Sequence, residues 1–101
     1  MLLVLGEAEA ASGHREQMLE AAGAMATATA ADDGCERYGF YADVTRPDVI
    51  VSVEVWRDQA ALDAHMDHAH TQAFLAAVPE LVAGTPTMQF FHVEPAQEEA
   101  R

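Results

Sequence analysis

The stretch from Val49 to Phe74 reads VIVSVEVWRDQAALDAHMDHAHTQAF, and the rest of the chain is interpreted outward from it. In its first eight residues, every second position is valine. A period of two places the valines on one face of a strand and the intervening residues on the other. The β-branched composition supports a strand. Ser52, Glu54 and Trp56 are therefore predicted to share a face.

A helix is predicted directly after this strand. Arg57-Asp58 interrupts the alternation, and the Asp58 carboxylate is placed to cap the free amides of a following helical turn. His65 falls on the inward face, because apolar residues recur around it at helical spacing: Ala61, Leu62, Met66 and Ala69. Glu54, Trp56 and His65 then converge on one apolar wall. That arrangement suits a small-molecule site and equally an ordinary core.

Length and charge narrow the functional classes. The 101 residues allow one core, and the formal net charge of −12 opposes binding to nucleic acid. The chain contains no lysine, which excludes Schiff-base catalysis through a lysine. One cysteine, Cys35, excludes an internal disulfide. No apolar run reaches the roughly 18 residues that span a bilayer, and the opening MLLVL is too short for a signal peptide. We therefore expect a cytoplasmic protein with no membrane partner.

The remaining chain predicts further elements on both sides of this stretch. Before it, the predicted elements are a strand over 2–7, a helix capped by Ser12 and ending at Asp32-Asp33-Gly34, and a strand over 35–44. After it, a helical piece is predicted from residue 72 and ends or kinks near Pro79. A loop over 83–86 and a strand over 87–93 follow. A single domain over 1–94 and a charged tail over 95–101 are expected.

This order, β-α-β-β-α-β, predicts a ferredoxin-like α+β fold with an antiparallel sheet. Two helices cover only one face of such a sheet. If Val44 pairs with Val49, Tyr38 and Phe40 join the valines on an apolar face, opposite Glu54, although a one-residue slip would reverse this. An apolar face left uncovered would aggregate, so we expect a homodimer formed sheet against sheet.

Four segments resemble the antibiotic biosynthesis monooxygenase family over nearly the whole chain, from Leu2 to about Glu94. They are Gly34-Cys35-Glu36-Arg37-Tyr38, Glu54-Val55-Trp56, Ala61-Leu62-Asp63-Ala64-His65 and His70-Thr71-Gln72-Ala73-Phe74. The resemblance implies a dimeric α+β barrel with a cavity between sheet and helices in each subunit. It also implies, as in several members, oxidation of quinols or polycyclic phenols by O₂ without metal or flavin, hence no cofactor.

The chain departs from the family pattern at two places. Members often carry an acidic residue two positions before the Gly-Cys pair, where this chain has Asp32-Asp33, and His68 is an additional histidine. The haem-degrading branch of the superfamily has an inward tryptophan near the position of His65 and a histidine near Leu75. Neither is present, so haem degradation is not expected.

Such an oxygenase needs a base near neutral pH, a flat apolar slot and donors for a developing oxyanion. We expect His65 to be the base, Glu54 to orient its imidazole or hold its proton, and Tyr38, Tyr41 or Arg37 to donate to the oxyanion. The expected substrate slot is formed by Trp56, Met66, Phe74 and Phe90. His70 matches the start of the family's following helix and is included among the substrate-binding residues.

Each candidate also has a purely structural interpretation. His65 can be a hydrogen-bonded core residue, Glu54 can pair with Arg37 or Arg57, and Trp56 can be a core anchor. A metal site is not expected, because His68 is predicted to point away from the inward face that carries His65. Two other functions stay open: acid–base isomerisation or cyclisation of a small carbonyl compound, and non-catalytic binding of a small molecule.

Overall fold

The computed structural model describes residues 1–97. Its elements are β1 (Leu2–Ala10), α1 (Arg15–Thr29), β2 (Cys35–Ala42), β3 (Val49–Trp56), α2 (Gln59–Asp67), α3 (Ala69–Leu81) and β4 (Val82–His92). Four antiparallel strands form one sheet in the order β2-β3-β1-β4. This is the ferredoxin-like α+β arrangement that the sequence predicts. Residues 95–97 have no regular structure, and the rest of the predicted tail, 98–101, lies outside the described residues.

The helices pack on one face of the sheet, here called the inner face. Alternation along β3 places Ile50, Ser52, Glu54 and Trp56 on it, and all four side chains are buried. One core cluster joins Trp56 to Leu62 of α2, and a second joins Ile50 to Met18 of α1. Within residues 1–97, no helix is both long and apolar enough to cross a membrane.

The predicted pairing of β2 with β3 is wrong by one residue. Ala42 pairs with Ile50 and Tyr38 with Glu54, so Tyr38 and Phe40 lie on the inner face beside Glu54. The physical cause is a turn that begins early. The Asp43 carboxylate accepts hydrogen bonds from the Thr45 amide and hydroxyl, both at 2.8 Å, and bends the chain directly after Ala42. Val44, predicted in the strand, is 96% exposed in the turn.

The opposite, outer face of the sheet has no helix over it. It carries Leu3 and Leu5 of β1, opposite Val55 and Val53 of β3, with Val51 further along. All five side chains are only partly buried in the single chain. The predicted uncovered apolar face is therefore present, but the corrected register changes which β2 residues belong to it.

Three predicted boundaries also differ. Strand β4 begins at Val82 and includes the predicted loop, with extra residues Gly84, Thr85 and Pro86 bulging opposite Ala8. Helix α3 continues through Pro79 to Leu81 rather than ending near Val78. Helix α1 begins with His14 rather than Ser12 at its N-cap position.

The predicted helix start at Asp58 is observed, because its carboxylate accepts from the Ala61 amide at 2.8 Å. The second helical region divides at His68, whose backbone is extended with φ −68° and ψ 147°. This residue ends α2 and precedes α3. The new helix therefore begins at Ala69, three residues before the helical piece predicted from residue 72, and the division turns the side chains after it toward the end of α1.

Candidate functional site

A cavity of about 430 Å³ lies between the inner face of the sheet and the helices. This is a typical size for a small-molecule site. Its polar groups include the side chains of His65, Glu54, Tyr38 and Thr71. Its apolar wall includes Val4, Met18, Met25, Phe40, Ile50, Leu62, Met66, Phe74, Leu75, Val78, Met88 and Phe90. The cavity is thus mostly apolar, with a few polar groups concentrated near one helix.

Gly6 of β1 helps to keep this space open. A Cβ atom at this position would collide with Ser52 Oγ of β3 and would come within 2.8 Å of Met88 Sδ of β4. Gly6 pairs with both strands and lines the cavity. The absent side chain therefore lets the cavity floor pass between Ser52 and Met88.

His65 is held by Asp32, which follows α1. Nδ1 of His65 lies 2.7 Å from Asp32 Oδ2, and both residues are buried. Since a carboxylate only accepts, Nδ1 carries the proton and Nε2 keeps the lone pair. Asp32 is not among the cavity-lining residues, whereas His65 is. The Nδ1 edge therefore turns away from the cavity and leaves Nε2 as its free basic atom.

The pKa values of this pair follow from burial and hydrogen bonding. Burial lowers the pKa of His65 and outweighs the opposing hydrogen bond to Asp32. For Asp32, burial acts to raise the pKa, but hydrogen bonds from His65, His70 and His68 together hold it below its usual value. A neutral imidazole beside an ionised carboxylate is thus the resting state near pH 7.

Two further imidazoles bind the same carboxylate. His68 Nδ1 lies 2.9 Å from Asp32 Oδ1, and His70 Nε2 lies 3.1 Å from Oδ2. The extended backbone at His68 is what brings His70 to this carboxylate. In a continuous helix, residues 65 and 68 lie about 60° apart about the axis and share a side, whereas residues 65 and 70 lie about 140° apart. We call Asp32, His65, His68 and His70 the Asp-His cluster.

Glu54 and Trp56 form a separate buried pair on β3. Trp56 Nε1 donates to Glu54 Oε1 at 2.9 Å, and the Trp56 ring is tilted against the His65 ring with centroids 4.6 Å apart. Burial raises the pKa of Glu54 despite the indole hydrogen bond. The expectation that Glu54 orients His65 is therefore wrong, and no arginine within residues 1–97 pairs with Glu54. Asp32 orients the imidazole instead.

Tyr38 lies beside the Asp32–His65 pair and the Glu54–Trp56 pair. Its ring lies 5.5 Å from the His65 ring and 6.3 Å from the Trp56 ring, measured between centroids. Burial, reinforced by the charge of Glu54, raises the pKa of Tyr38 well above its usual value. The phenol is therefore a neutral proton donor throughout the ordinary pH range.

Four of the predicted site residues lie away from the cavity lining. Trp56 is fully buried behind His65, and His70 contacts Asp32 rather than the cavity. Arg37 and Tyr41 lie on the outer face, where Arg37 Nη2 donates to the Tyr41 hydroxyl at 3.3 Å. Their expected role as oxyanion donors beside His65 does not fit this position, for the one-residue register error displaced every β2 side chain.

Asp32 and Thr71 are the site residues that sequence reasoning missed. Thr71 Oγ1 lies 3.3 Å from His65 Nδ1 and is buried. Asp32 had a signal, because it occupies the position two before Gly34 where the resembling family carries an acidic residue. It was interpreted as a helix-ending residue. The presence of three histidines, His65, His68 and His70, within six consecutive positions was the other available signal.

The Asp-His cluster also has the composition of a metal site. One ligand atom each from Asp32, His65 and His70 lie within 4.8 Å of one another. The expectation that His68 points away from His65 is wrong, because both imidazoles bind the Asp32 carboxylate. On the other side of His65, the cavity offers a base, a phenol and a carboxyl group of raised pKa, which together suit proton transfer to and from a bound molecule.

Comparison with known proteins places this chain among small α+β proteins. The sequence model described as "Antibiotic biosynthesis monooxygenase" matches residues 1–77. An uncharacterized protein of Synechocystis is 25% identical over 95% of this chain, which spans 65% of that protein's length. The monooxygenase candidate YcnE of Bacillus subtilis is 32% identical over 68% of this chain and 73% of its own length.

Solved structures agree with this placement. The Mycobacterium tuberculosis protein Rv0793 superposes with a TM-score of 0.88 and 26% identity, covering 95% of this chain and 98% of its own. A Deinococcus radiodurans protein described as a candidate antibiotic biosynthesis monooxygenase gives a TM-score of 0.90 over 99% of both chains, at 21% identity. At that identity, the likeness concerns the fold alone.

Proposed function

The chain belongs to the antibiotic biosynthesis monooxygenase family, and from this premise we propose that it oxidises a quinol, an anthrone or a related phenolic small molecule with O₂. The observation that carries the proposal is the hydrogen bond between Asp32 and His65 at the side of a largely apolar cavity. The bond leaves Nε2 of a buried imidazole as a base. We propose that no metal or flavin takes part in the reaction.

The cavity supports binding of a planar aromatic ring. The Phe40 and Phe74 rings are tilted against each other with centroids 5.6 Å apart. The same space is lined by four methionines, Met18, Met25, Met66 and Met88. Methionine side chains adapt to irregular shapes and make favourable contacts with aromatic rings. A substrate hydroxyl would enter on the polar side, near His65, Glu54 and Tyr38.

In the proposed reaction, His65 Nε2 removes a proton from the substrate, and Asp32 stabilises the resulting imidazolium. The substrate anion gives one electron to O₂, and the substrate radical combines with superoxide to form a peroxide. Loss of water from the peroxide completes the conversion of an anthrone CH₂ group and O₂ into C=O and H₂O. We propose Tyr38, kept neutral by its raised pKa, as the donor to the oxyanion.

Oxygen consumption with menadiol or an anthrone tests this proposal. We expect turnover that needs O₂ and a His65→Gln variant that loses roughly 10²–10⁴-fold of it while keeping its melting temperature within a few degrees. The Gln amide retains a hydrogen-bonding group for Asp32 but cannot accept a substrate proton. Equal turnover by the variant would overturn the role of His65.

A second candidate is acid–base isomerisation or cyclisation of an enolisable carbonyl compound. The specific observation that favours it is the pair of opposed pKa shifts at one cavity, raised for Glu54 and lowered for His65. Such a pair supplies a proton donor and a proton acceptor together. Turnover that is unchanged under argon would favour this function. A bound ligand with no turnover under either gas would favour a non-catalytic binding protein.

The proposal includes a homodimer that packs outer face against outer face. Leu3, Leu5, Val51, Val53 and Val55 form its centre, and Phe91 extends it with 41% of its surface exposed. A contiguous apolar surface of this kind is a usual site of subunit association.

The proposal also includes a cytoplasmic location, for which the free Cys35 thiol is the support.

A further inference from the structure

Three imidazoles and one carboxylate converge at the junction between α1, α2 and α3. Asp32 Oδ2 lies 2.7 Å from His65 Nδ1 and 3.1 Å from His70 Nε2. The third imidazole, that of His68, has its Nδ1 2.9 Å from Oδ1. One hydrogen-bonding partner would be enough to hold a base in place. The additional two histidines are not used by the proposed reaction, since neither lines the cavity.

We propose that the Asp-His cluster is a binding site for one divalent transition-metal ion of the zinc type, and that the bound ion silences His65 as a base. Metal binding at this site does not depend on the proposed function. Only the effect of the bound ion on turnover rests on the proposed function. One ligand atom each from Asp32, His65 and His70 lie within 4.8 Å of one another, and two imidazole nitrogens with a carboxylate oxygen are ligands that suit Zn²⁺ and Co²⁺. His68, which binds the other carboxylate oxygen, is the candidate for the fourth position.

The spacing of the ligand atoms needs little adjustment. Tetrahedral coordination at about 2.0–2.1 Å separates neighbouring donors by about 3.3 Å. Asp32 Oδ2 lies 2.7 Å from His65 Nδ1 and 3.1 Å from His70 Nε2, so an ion shared by these three atoms requires each distance to lengthen by a few tenths of an ångström. His68 Nδ1 lies 2.9 Å from the other oxygen, Oδ1, and has to shift further to join them. Thr71 Oγ1, 3.3 Å from His65 Nδ1, stands where it can support the ligand from outside the coordination shell.

An ion can reach the cluster from solvent. The side chains of His68 and His70 are 41% and 29% exposed. A cleft of about 170 Å³ lies at this surface and is lined by Asp32, His65 and His68 among others. Of these three residues, His65 also lines the main cavity. The net charge of −12 favours cations in general. Arg57, the cation at this cleft, is paired with Asp33 and Asp58.

The position of the ion determines its effect on the proposed base. Without it, the His65 proton is on Nδ1, bound to Asp32, and Nε2 is free. When an ion takes the lone pair of Nδ1, the neutral imidazole carries its proton on Nε2. His65 then presents a donor instead of a base to the cavity. Because Asp32, His68 and His70 do not line the cavity, the ion itself does not contact the substrate.

Cobalt absorbance provides a test that does not depend on turnover. Protein treated with a chelator is titrated with Co²⁺, and we expect one ion per chain with the intense visible bands of four-coordinate cobalt, displaced by Zn²⁺. A His68→Ala/His70→Ala variant should bind at least about tenfold more weakly. The matched control is His14→Ala/His92→Ala, which removes the two histidines outside the cluster and should bind as the parent does.

Each outcome decides one part of the proposal. Absence of saturable binding, or binding that only the control variant loses, overturns the metal site. In the second arm, stoichiometric Zn²⁺ should suppress turnover of the chelator-treated protein, and the His68→Ala/His70→Ala variant should resist suppression. Turnover that is unaffected by a site filled with cobalt overturns the silencing effect. If the metal-free protein oxidises no phenol, the proposed function fails while the absorbance still decides the site.

Discussion

Asp32 Oδ2 and His65 Nδ1 lie 2.7 Å apart, joining two buried residues that are 33 positions apart in the chain. The carboxylate selects the imidazole tautomer and holds the ring against Trp56 and Tyr38. This relationship places Asp32 as a positioning residue, because it acts on the cavity only through His65. The first prediction concerns the tautomer.

Asp32→Asn should reduce kcat by roughly 10²-fold or more without preventing folding. The amide has nearly the shape of the carboxylate, but it carries no charge, so it does not stabilise an imidazolium. When its NH₂ group faces Nδ1, the His65 proton moves to Nε2. Nuclear magnetic resonance of the imidazole nitrogens checks this directly, with a shift of the proton between nitrogens. An active variant with unchanged tautomer would contradict the assignment.

The pH dependence should follow the lowered pKa of His65. As a base, His65 must be neutral, so kcat/KM should rise with pH through a pKa below 6.5 and then level off. Stability should change in the same direction. The unfolded chain takes up this proton near 6.5 and the folded chain only at lower pH, so stability falls as the pH drops below about 6.5 and is constant above it.

The depressed pKa of Asp32 adds a further loss of stability, below its ordinary value of 3.8. Thermal unfolding at a series of pH values measures both effects. His65→Gln should remove the change near pH 6 and leave the one at lower pH. The comparison with His65→Gln is needed because the raised pKa of Glu54 changes stability in the opposite direction in both proteins. A His65→Gln variant with the same pH dependence as the parent between pH 7 and 5.5 would be inconsistent with a buried neutral imidazole.

Glu54→Gln should raise the melting temperature at pH 8, on the order of 5 °C, and have a smaller effect at pH 4. Burial raises the pKa of Glu54, so its ionisation above the unfolded value of 4.5 costs folding free energy that a neutral amide does not. The Gln oxygen still accepts from Trp56 Nε1. Scanning calorimetry at both pH values checks this, and a variant less stable at pH 8 would refute it.

Gly6→Ala should raise KM for an aromatic substrate about tenfold, with a smaller change in kcat. Its Cβ would press on Ser52 Oγ and on the flexible Met88 side chain, which would move into the cavity. Gly23→Ala in α1 is a matched control, because nothing lies within 4 Å of its added Cβ. That control should leave KM unchanged and stabilise the helix slightly. Equal effects of the two changes on KM would argue against a role of Gly6 in cavity size.

Val53→Lys should convert the proposed dimer into a monomer at micromolar concentration. Val53 lies at the middle of the outer face, paired with Leu5 and Gly39, and a charge there would have to be desolvated in a face-to-face dimer. Sedimentation equilibrium measures the mass. Glu20→Lys, a charge change on the exposed surface of α1, is the control and should leave the mass unaltered. A monomeric parent would contradict the dimer itself.

The sequence predicted well the elements whose signals are local. The alternation in Val49–Trp56 and the cap at Asp58 gave correct bounds for β3 and the start of α2. They also placed Glu54 and His65 at the same cavity. Period and capping depend on neighbours within four residues, so no knowledge of the tertiary structure was needed.

The errors arose where a side chain acts over a longer distance. The register of β2 depended on how the Asp43 carboxylate folds the turn, and one residue of error exchanged Tyr38 with Tyr41 as a cavity neighbour. The Asp-His cluster depended on one extended residue, His68, inside an otherwise helical pattern. Hydrophobic periodicity carries no information about either feature, because both come from polar side chains binding the backbone or one another.

The bulge of β4 interrupts one of the two open edges of the sheet. The strand order leaves β2 and β4 at the two edges, and an open edge of 11 residues would invite another chain to add a strand to it. The bulge at Gly84, Thr85 and Pro86 divides this edge into two shorter runs, and proline offers no N–H for strand addition. The same three residues thus oppose edge-to-edge aggregation of the protein through β4.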